Sequence, residues 1–301
     1  MAQVFFGSGP GVQTPDGCSV DLYRVLPYMG ELEDIQPALQ QHSEALELGC
    51  GTGRLCQRML ELGIQATGVD ESAEMLAHLP PGVQGVRSSI EELSLGRTWP
   101  AVLLPSHLIN HPEEGVRHAF IATARRHISD AGNFFVKRHN PAWLAAVQPG
   151  PIGQSHGVTY FAEQVARLGD CVTMTLRYEA SSQVWTQSFS TTALSEVEVE
   201  DQLRRHGFKQ FQWFGKDRLW VSATASDASR SSGAPTADHQ ARAGGTQYIF
   251  TSPGLASCRR RPLSSNVPLV FSLNVSPPIP RDSNEPSDDP PCGKLGPSLA
   301  S

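Results

Sequence analysis

Apolar residues fall in short blocks along the first half of the chain, and the blocks alternate between two periods. Residues 45–48 read as a strand closed by glycines, after which Leu55, Met59 and Leu62 recur on one face of a helix. Residues 66–69 predict a second strand and 72–79 a second helix. Residues 83–86 predict a third strand, and 101–104, apolar throughout, a fourth and central one. Pro112 suits the first turn of a helix reaching Ile128, with Glu113 and Glu114 placed against its dipole. Gly132 then turns the chain into a fifth strand over 133–136. Strands alternating with helices predict an α/β class: a mostly parallel sheet with helices on both faces.

The pattern changes in the second half. Residues 172–178 and 184–189 alternate like an antiparallel hairpin, inserted at about 171–190. Ser195 with Glu198 forms a capping box, and Leu194 with Val199 a hydrophobic staple, so a helix opens there. It ends in Arg204, Arg205, His206 and Gly207, as a helix dipole and a C-terminal cap prefer. Residues 208–214 and 219–223 pair as closing strands. Ahead of the alternation, residues 1–44 are a lead-in of turn chemistry with short helices around 20–26 and 32–39. Residues 45–225 form the main domain. Roughly half of the 23 prolines lie in 226–301, a stretch rich in Ser and Gly and read as a disordered tail.

Composition narrows the function. The formal net charge is −6, and the only lysines before residue 226 are Lys137, Lys209 and Lys216. A phosphate-binding face needs more basic side chains, so nucleic acid is not the expected partner. Six cysteines show no Cys-x-x-Cys pair and no zinc spacing, so no metal is expected. No membrane-spanning run or basic leader is visible, and the expectation is a reduced, cytoplasmic protein without membrane contact.

The chemistry is concentrated after the first strand. In Glu47-Leu48-Gly49-Cys50-Gly51-Thr52-Gly53 side chains are absent where a ligand needs close approach to the backbone, and a helix N-terminus stands behind. Asp70 ends the second strand, where a carboxylate can accept both hydroxyls of a ribose. A dinucleotide site wants Gly-x-Gly-x-x-Gly/Ala, but Arg54 or Cys56 occupies the third position, so NAD and FAD fit badly.

With Gly68-Val69-Asp70-Glu71-Ser72 and then Met75-Leu76, the turn resembles the signature of the class I, Rossmann-like S-adenosylmethionine-dependent methyltransferases. It is similar to their small-molecule branch, the glycine N-methyltransferase-like and quinone-biosynthesis-like enzymes. The resemblance is strong over 45–79 and follows element order over about 20–225. It implies S-adenosylmethionine as cofactor. Glu47, Gly49 and Gly51 would line its methionine end, Asp70 would hold its ribose and Met75 would lie near its adenosine, with Cys50 and Glu71 also at the cofactor. Ser89 and Ile90 would take the adenine positions, with a hydroxyl where relatives carry a carboxylate, and Glu91 is an alternative there. Leu104, ending the fourth strand, would border the cofactor, and Tyr23, with Arg24 and Tyr28, would form a lid.

Methyl transfer needs proximity and orientation, and for a hydroxyl or protonated amine also a base. The acceptor is expected past the fourth strand, at the crevice where open α/β sheets bind ligands. His107 is the first candidate base and His139, past the fifth strand, the second, since imidazoles titrate near working pH. Asn110 and His111 read as caps of the helix that Pro112 begins. Arg138 and His156 are weaker candidates for substrate contact, and Trp143 for walling an acceptor pocket. The expected function is methyl transfer to a small oxygen, nitrogen or carbon nucleophile. The alternatives are a cofactor-binding regulatory module without turnover, and a protein methyltransferase.

Overall fold

Seven strands make the central sheet of the computed structural model, which describes residues 5–225. They are β2 (Glu44–Leu48), β3 (Gln65–Asp70), β4 (Gln84–Arg87), β5 (Trp99–Leu104), β6 (Ile128–Lys137), β11 (Lys209–Phe214) and β12 (Trp220–Thr224). The order is β11-β12-β6-β5-β2-β3-β4; β12 alone runs antiparallel to its neighbours. The period-two alternation decides the layers. Leu46, Leu48, Val102, Leu104, Phe134 and Val136 face helices α5 (Glu114–His127) and α7 (Glu196–Arg205). Ala45, Ala101, Leu103 and Phe135 face α2 (Gln36–Leu39) and α3 (Arg54–Glu61). Both layers are shielded from water, which explains the apolar run of β5.

The chain leaves β2 in one direction for β3 and later returns to its other side as β5. This reversal puts the loops after β2 and after β5 at neighbouring strand ends, the crevice of an open α/β sheet.

A second, five-stranded antiparallel sheet is more extensive than a hairpin. β9 (Cys171–Ala180) and β10 (Gln183–Thr192) form the hairpin read from the sequence, flanked by β8 (Val158–Leu168), β7 (Gly150–Ser155) and, on the far side, β1 (Phe6–Ser8). β8 pairs with β9 over its length, but its second half is largely exposed, with Glu163, Gln164 and Arg167 breaking the apolar run, which conceals the alternation. The lead-in is thus stitched to the insertion by main-chain pairing between distant parts of the chain, Phe6 opposite Ser188.

Local details also differ from expectation. Helix α4 (Ala73–Leu76) stops earlier, although Ser72 caps it as a good cap residue does, accepting from Met75 N–H. Glu113 is the N-cap of α5, so Pro112 lies outside it. Gly132 is no turn: it sits inside β6, at a bulge where Trp99 opposes Ile128 but Ala101 opposes Asn133. A Cβ there would lie 2.8 Å from both the Pro100 carbonyl oxygen and the Ile128 side chain. Gly132→Ala is therefore expected to cost about 1–3 kcal/mol, read as a lower Tm in thermal denaturation. The capping box of α7 forms as the spacing predicts. The proposed tail at 226–301 lies outside the described residues.

Candidate active site

The turn after β2 runs through three left-handed glycines, Gly49 (φ 76), Gly51 (φ 54) and Gly53 (φ 81), a path that side chains resist. Val69 C=O accepts from Gly49 and Cys50 N–H at 2.8 and 2.9 Å, clamping the turn to β3. Asp70, ending β3, is almost fully buried. Its Oδ2 accepts from Gly51 N–H at 2.8 Å and its Oδ1 from Ser72 N–H at 3.0 Å, so the carboxylate is locked between turn and α4.

Two small cavities of about 10 Å³ flank this carboxylate. Gly49, Asp70, Glu71, Ser89, Ile90 and Glu91 line one; Asp70, Glu71 and Met75, with Thr14, Asp16 and Cys18, line the other. The structure thus brings together most of the residues named for the cofactor. Asp16 and Cys18 were missed, because Pro15-Asp16-Gly17 reads locally as turn chemistry. Burial pushes Asp70 up to about 6, partly opposed by its two N–H donors. Glu71 rises to about 7 through burial and the charges of Asp16 and Asp70. Glu47 lies beneath the turn, its Oε2 accepting the Cys56 thiol at 3.0 Å, and burial pushes it to about 8.

Others stand apart. Cys50 turns its side chain into the core against Gly68, where a Cβ would lie 2.6 Å from its sulfur. Leu104 is wholly buried in the α5 layer. Tyr23 borders a separate cleft of about 510 Å³ with Tyr28, Thr52, Arg54 and Arg58. Its hydroxyl reaches Gln187 Oε1 at 3.5 Å, which ties α1 (Val20–Val25) to the second sheet.

Beyond β5, Ser106 (φ 62) and His107 (φ 59) are consecutive left-handed residues with side chains, both buried. Such backbone costs roughly 1–2 kcal/mol per residue and persists where surroundings enforce it. The His107 ring stacks on His139, centroids 3.7 Å apart and planes 14° off parallel. Trp143, in α6 (Pro141–Ala146), continues the column at 6.3 Å and 16°. Asn110 holds it from behind, without capping a helix: its side chain donates to Thr192 C=O at 2.7 Å and accepts His139 N–H at 2.8 Å. His111 does terminate the loop, its Nδ1 accepting Glu113 N–H at 3.1 Å.

Arg138 is committed elsewhere, to Leu194 C=O at 2.7 Å and to Glu196. His156 is exposed on the β7–β8 turn, bonded to Ser155. Lys137, which the sequence did not single out, is buried against Trp220 and lowered to about 7 by burial and the Arg54 charge.

Burial lowers His139 to about 3, with the Lys137 charge adding, and His111 to about 4. Their unfolded value is about 6.5, so each contributes stability that is complete above it and lost as pH falls through 4 and 3. Glu47, Asp70 and Glu71 act oppositely, their contribution complete below pH 4 and lost as pH rises toward 8. His139→Phe is therefore expected to shrink the fall in Tm between pH 6.5 and 3.5. A wild-type-like fall in that variant contradicts this origin.

Residues 45–132 match the model of a family described as a methyltransferase domain. Among solved structures, the chain is similar to the sugar N-methyltransferase KedS8 from Streptoalloteichus sp ATCC 53650, at 17% identity over 74% of this chain and 99% of that one, TM-score 0.57. It is similar also to CalS10, an amino pentose methyltransferase from Micromonospora echinaspora solved with S-adenosylmethionine bound, at 19% identity over 68% and 95%, TM-score 0.55. An S-adenosylmethionine-dependent methyltransferase from Clostridium acetobutylicum ATCC 824 aligns at 16% identity over 67% and 92%, TM-score 0.54. The likeness is one of fold, the Rossmann-like class I fold. No curated protein matches the chain.

Proposed function

We propose, from a methyltransferase domain spanning residues 45–132, that this chain transfers a methyl group from S-adenosylmethionine to a small-molecule nucleophile. The observation that carries the reading is Asp70: a buried carboxylate, held by Gly51 and Ser72 N–H beside a turn of left-handed glycines at the reversal point of the sheet. Two of its lone pairs are used by the backbone, and the carboxylate keeps capacity for ribose hydroxyls.

The residues present fit the cofactor's chemistry. The side-chain-free turn at Gly49 and Gly51 admits close approach, and Asp16, Glu47, Asp70 and Glu71 suit a ligand that carries a sulfonium and an ammonium. Met75, Ser89 and Ile90 take the adenosine side, and Tyr23 belongs to the cover. The cavities at Asp70 are smaller than a nucleoside, so Thr14–Cys18, which closes one of them, has to shift on binding. When bound, S-adenosylmethionine supplies a methyl group already activated by its sulfonium.

The chain's part is then to orient the acceptor and hold its proton. His107, in the strained loop after β5, and His139, just past β6, serve this. His139 stays neutral at physiological pH and accepts a hydrogen bond rather than a proton; His107 is the base. The scarcity of lysine favours a small acceptor over nucleic acid. No helix among the described residues is long and apolar enough to cross a membrane. Cys18, Cys50, Cys56 and Cys171 form no disulfide among the described residues, which favours a reducing compartment, the cytoplasm.

Calorimetry tests the assignment. S-adenosylmethionine and its demethylated product are expected to bind and NAD is not. Heat with NAD and none with either sulfur compound refutes the reading.

A further inference from the structure

The cleft of about 510 Å³ beside the glycine turn has α1 and the segment after it on one wall and α3 on the other. It shares no lining residue with the two cavities at Asp70. Three guanidiniums line it, those of Arg24, Arg54 and Arg58, in a chain whose formal net charge is −6. Glu61 is the one carboxylate in the lining.

The guanidiniums are anchored without being used up. Arg54, 14% exposed, spends Nη1 on both the Glu31 carboxylate and Pro27 C=O, the latter at 3.1 Å. A guanidinium carries five N–H donors, so most of that fork is left for another partner. Burial also works against the Arg54 charge, lowering it to about 10, and a bound anion offsets that cost. Arg58 lies over the Tyr28 ring and gives Nη1 to Glu61 and Nη2 to Gln36 Oε1, both at 3.2 Å. Its Nε is buried with no hydrogen-bond partner among the described residues, which is costly until something completes it. Arg24 is 53% exposed and meets Asp21 only at 3.6 Å, a contact of little worth in water. Against these donors the lining sets few acceptors, and the Gln57 amide and Glu61 are bonded to each other at 3.4 Å.

We propose that this cleft is an anion site, separate from the cofactor's, which takes a phosphate group, free or as a small monoester, between the Arg54 and Arg58 forks with Arg24 closing from α1. The inference stands apart from the methyl-transfer reading. Guanidinium forks match phosphate oxygens in pairs, and an acceptor-only group suits a wall of donors. A cation would meet three like charges. A neutral sugar would bring further O–H donors where acceptors are scarce. The cleft exceeds a bare phosphate, so the organic part of a monoester fits against Tyr28, Pro27 and Pro80.

The test uses full-length protein labelled with 3-fluorotyrosine, in which Tyr28→Phe identifies the Tyr28 fluorine resonance. Inorganic phosphate is the probe, and potassium chloride of matched ionic strength controls for screening. A saturable shift of the Tyr28 signal is expected with phosphate and not with chloride. Gln57, exposed on α3, allows the charge of the wall to be changed without touching the core. Gln57→Glu is expected to weaken phosphate binding about fivefold or more, and Gln57→Lys to bind at least as tightly as wild type, since the ligand is doubly charged. A phosphate response no larger than that to chloride overturns the proposal, as does equal phosphate affinity in Gln57→Glu and Gln57→Lys. Loss of the phosphate response at saturating S-adenosylhomocysteine also overturns it, by assigning the cleft to the cofactor.

Discussion

His107→Ala is expected to lower kcat by roughly 10²–10⁴-fold, the usual loss for a general base, while leaving S-adenosylhomocysteine affinity essentially unchanged. His107 occupies the first loop after the central strand, and its left-handed backbone shows that the surroundings enforce its position. Its ring is 3.7 Å from that of His139, so removing it also opens a void. His107→Phe answers this: it keeps a ring in the stack and loses both nitrogens. A comparable loss in the two variants assigns the effect to proton handling, whereas near-normal turnover in His107→Phe assigns it to packing. Rates are to be measured with radiolabelled cofactor and an acceptor drawn from a panel of phenols, aromatic amines, amino sugars and linear amines. His139, lowered to about 3 by burial, takes a proton poorly at neutral pH. A larger loss at His139→Phe than at His107→Phe refutes the order of roles assigned here.

Asp70→Ala is expected to weaken binding of S-adenosylhomocysteine by about 1.5–3 kcal/mol, roughly 10–150-fold in Kd. Two losses combine. The hydroxyl partners of the carboxylate disappear, and Gly51 and Ser72 N–H, now bonded at 2.8 and 3.0 Å, are left without an acceptor. Asp70→Asn separates them, because its amide oxygen satisfies one N–H while its NH₂ faces the other. Wild-type affinity for the cationic S-adenosylmethionine should rise between pH 5 and 8, as Asp70 near 6 and Glu71 near 7 lose their protons. Asp70→Asn should retain only the part of that rise carried by Glu71. Isothermal titration across this range decides the matter, and a profile as steep in Asp70→Asn as in wild type places the cationic ligand away from Asp70.

What the chain reveals on its own is the material controlled within a few residues. Period-two runs at β2, β3 and β5, the α3 stripe of Leu55 and Met59, and the Ser195–Glu198 capping box all depend on neighbours along the chain. So does the glycine turn, whose left-handed angles glycine alone adopts freely. Asp70 was legible because strand length and the turn together place it.

The second sheet was legible only as its inner hairpin. β8 carries Glu163, Gln164 and Arg167 among its apolar residues, and β1 is three residues long, so neither has a pattern of its own. Gly132 read as a turn and is a bulge, because Pro100 on the adjacent strand leaves no room for a Cβ. Asn110 read as a cap and is a cross-brace, its partners His139 and Thr192 lying 29 and 82 residues away. Asp16 joined the acidic site through a fold-over of the lead-in that no local propensity signals. The sequence by itself therefore determined the central sheet, the turn and the carboxylate that ends β3, since short-range sterics and hydrophobic period suffice for them. Tertiary structure alone decided the ring column, the cleft between α1 and α3 and the closing segment over Asp70, because each is made by groups from distant parts of the chain whose pairing is selected only when the two sheets pack.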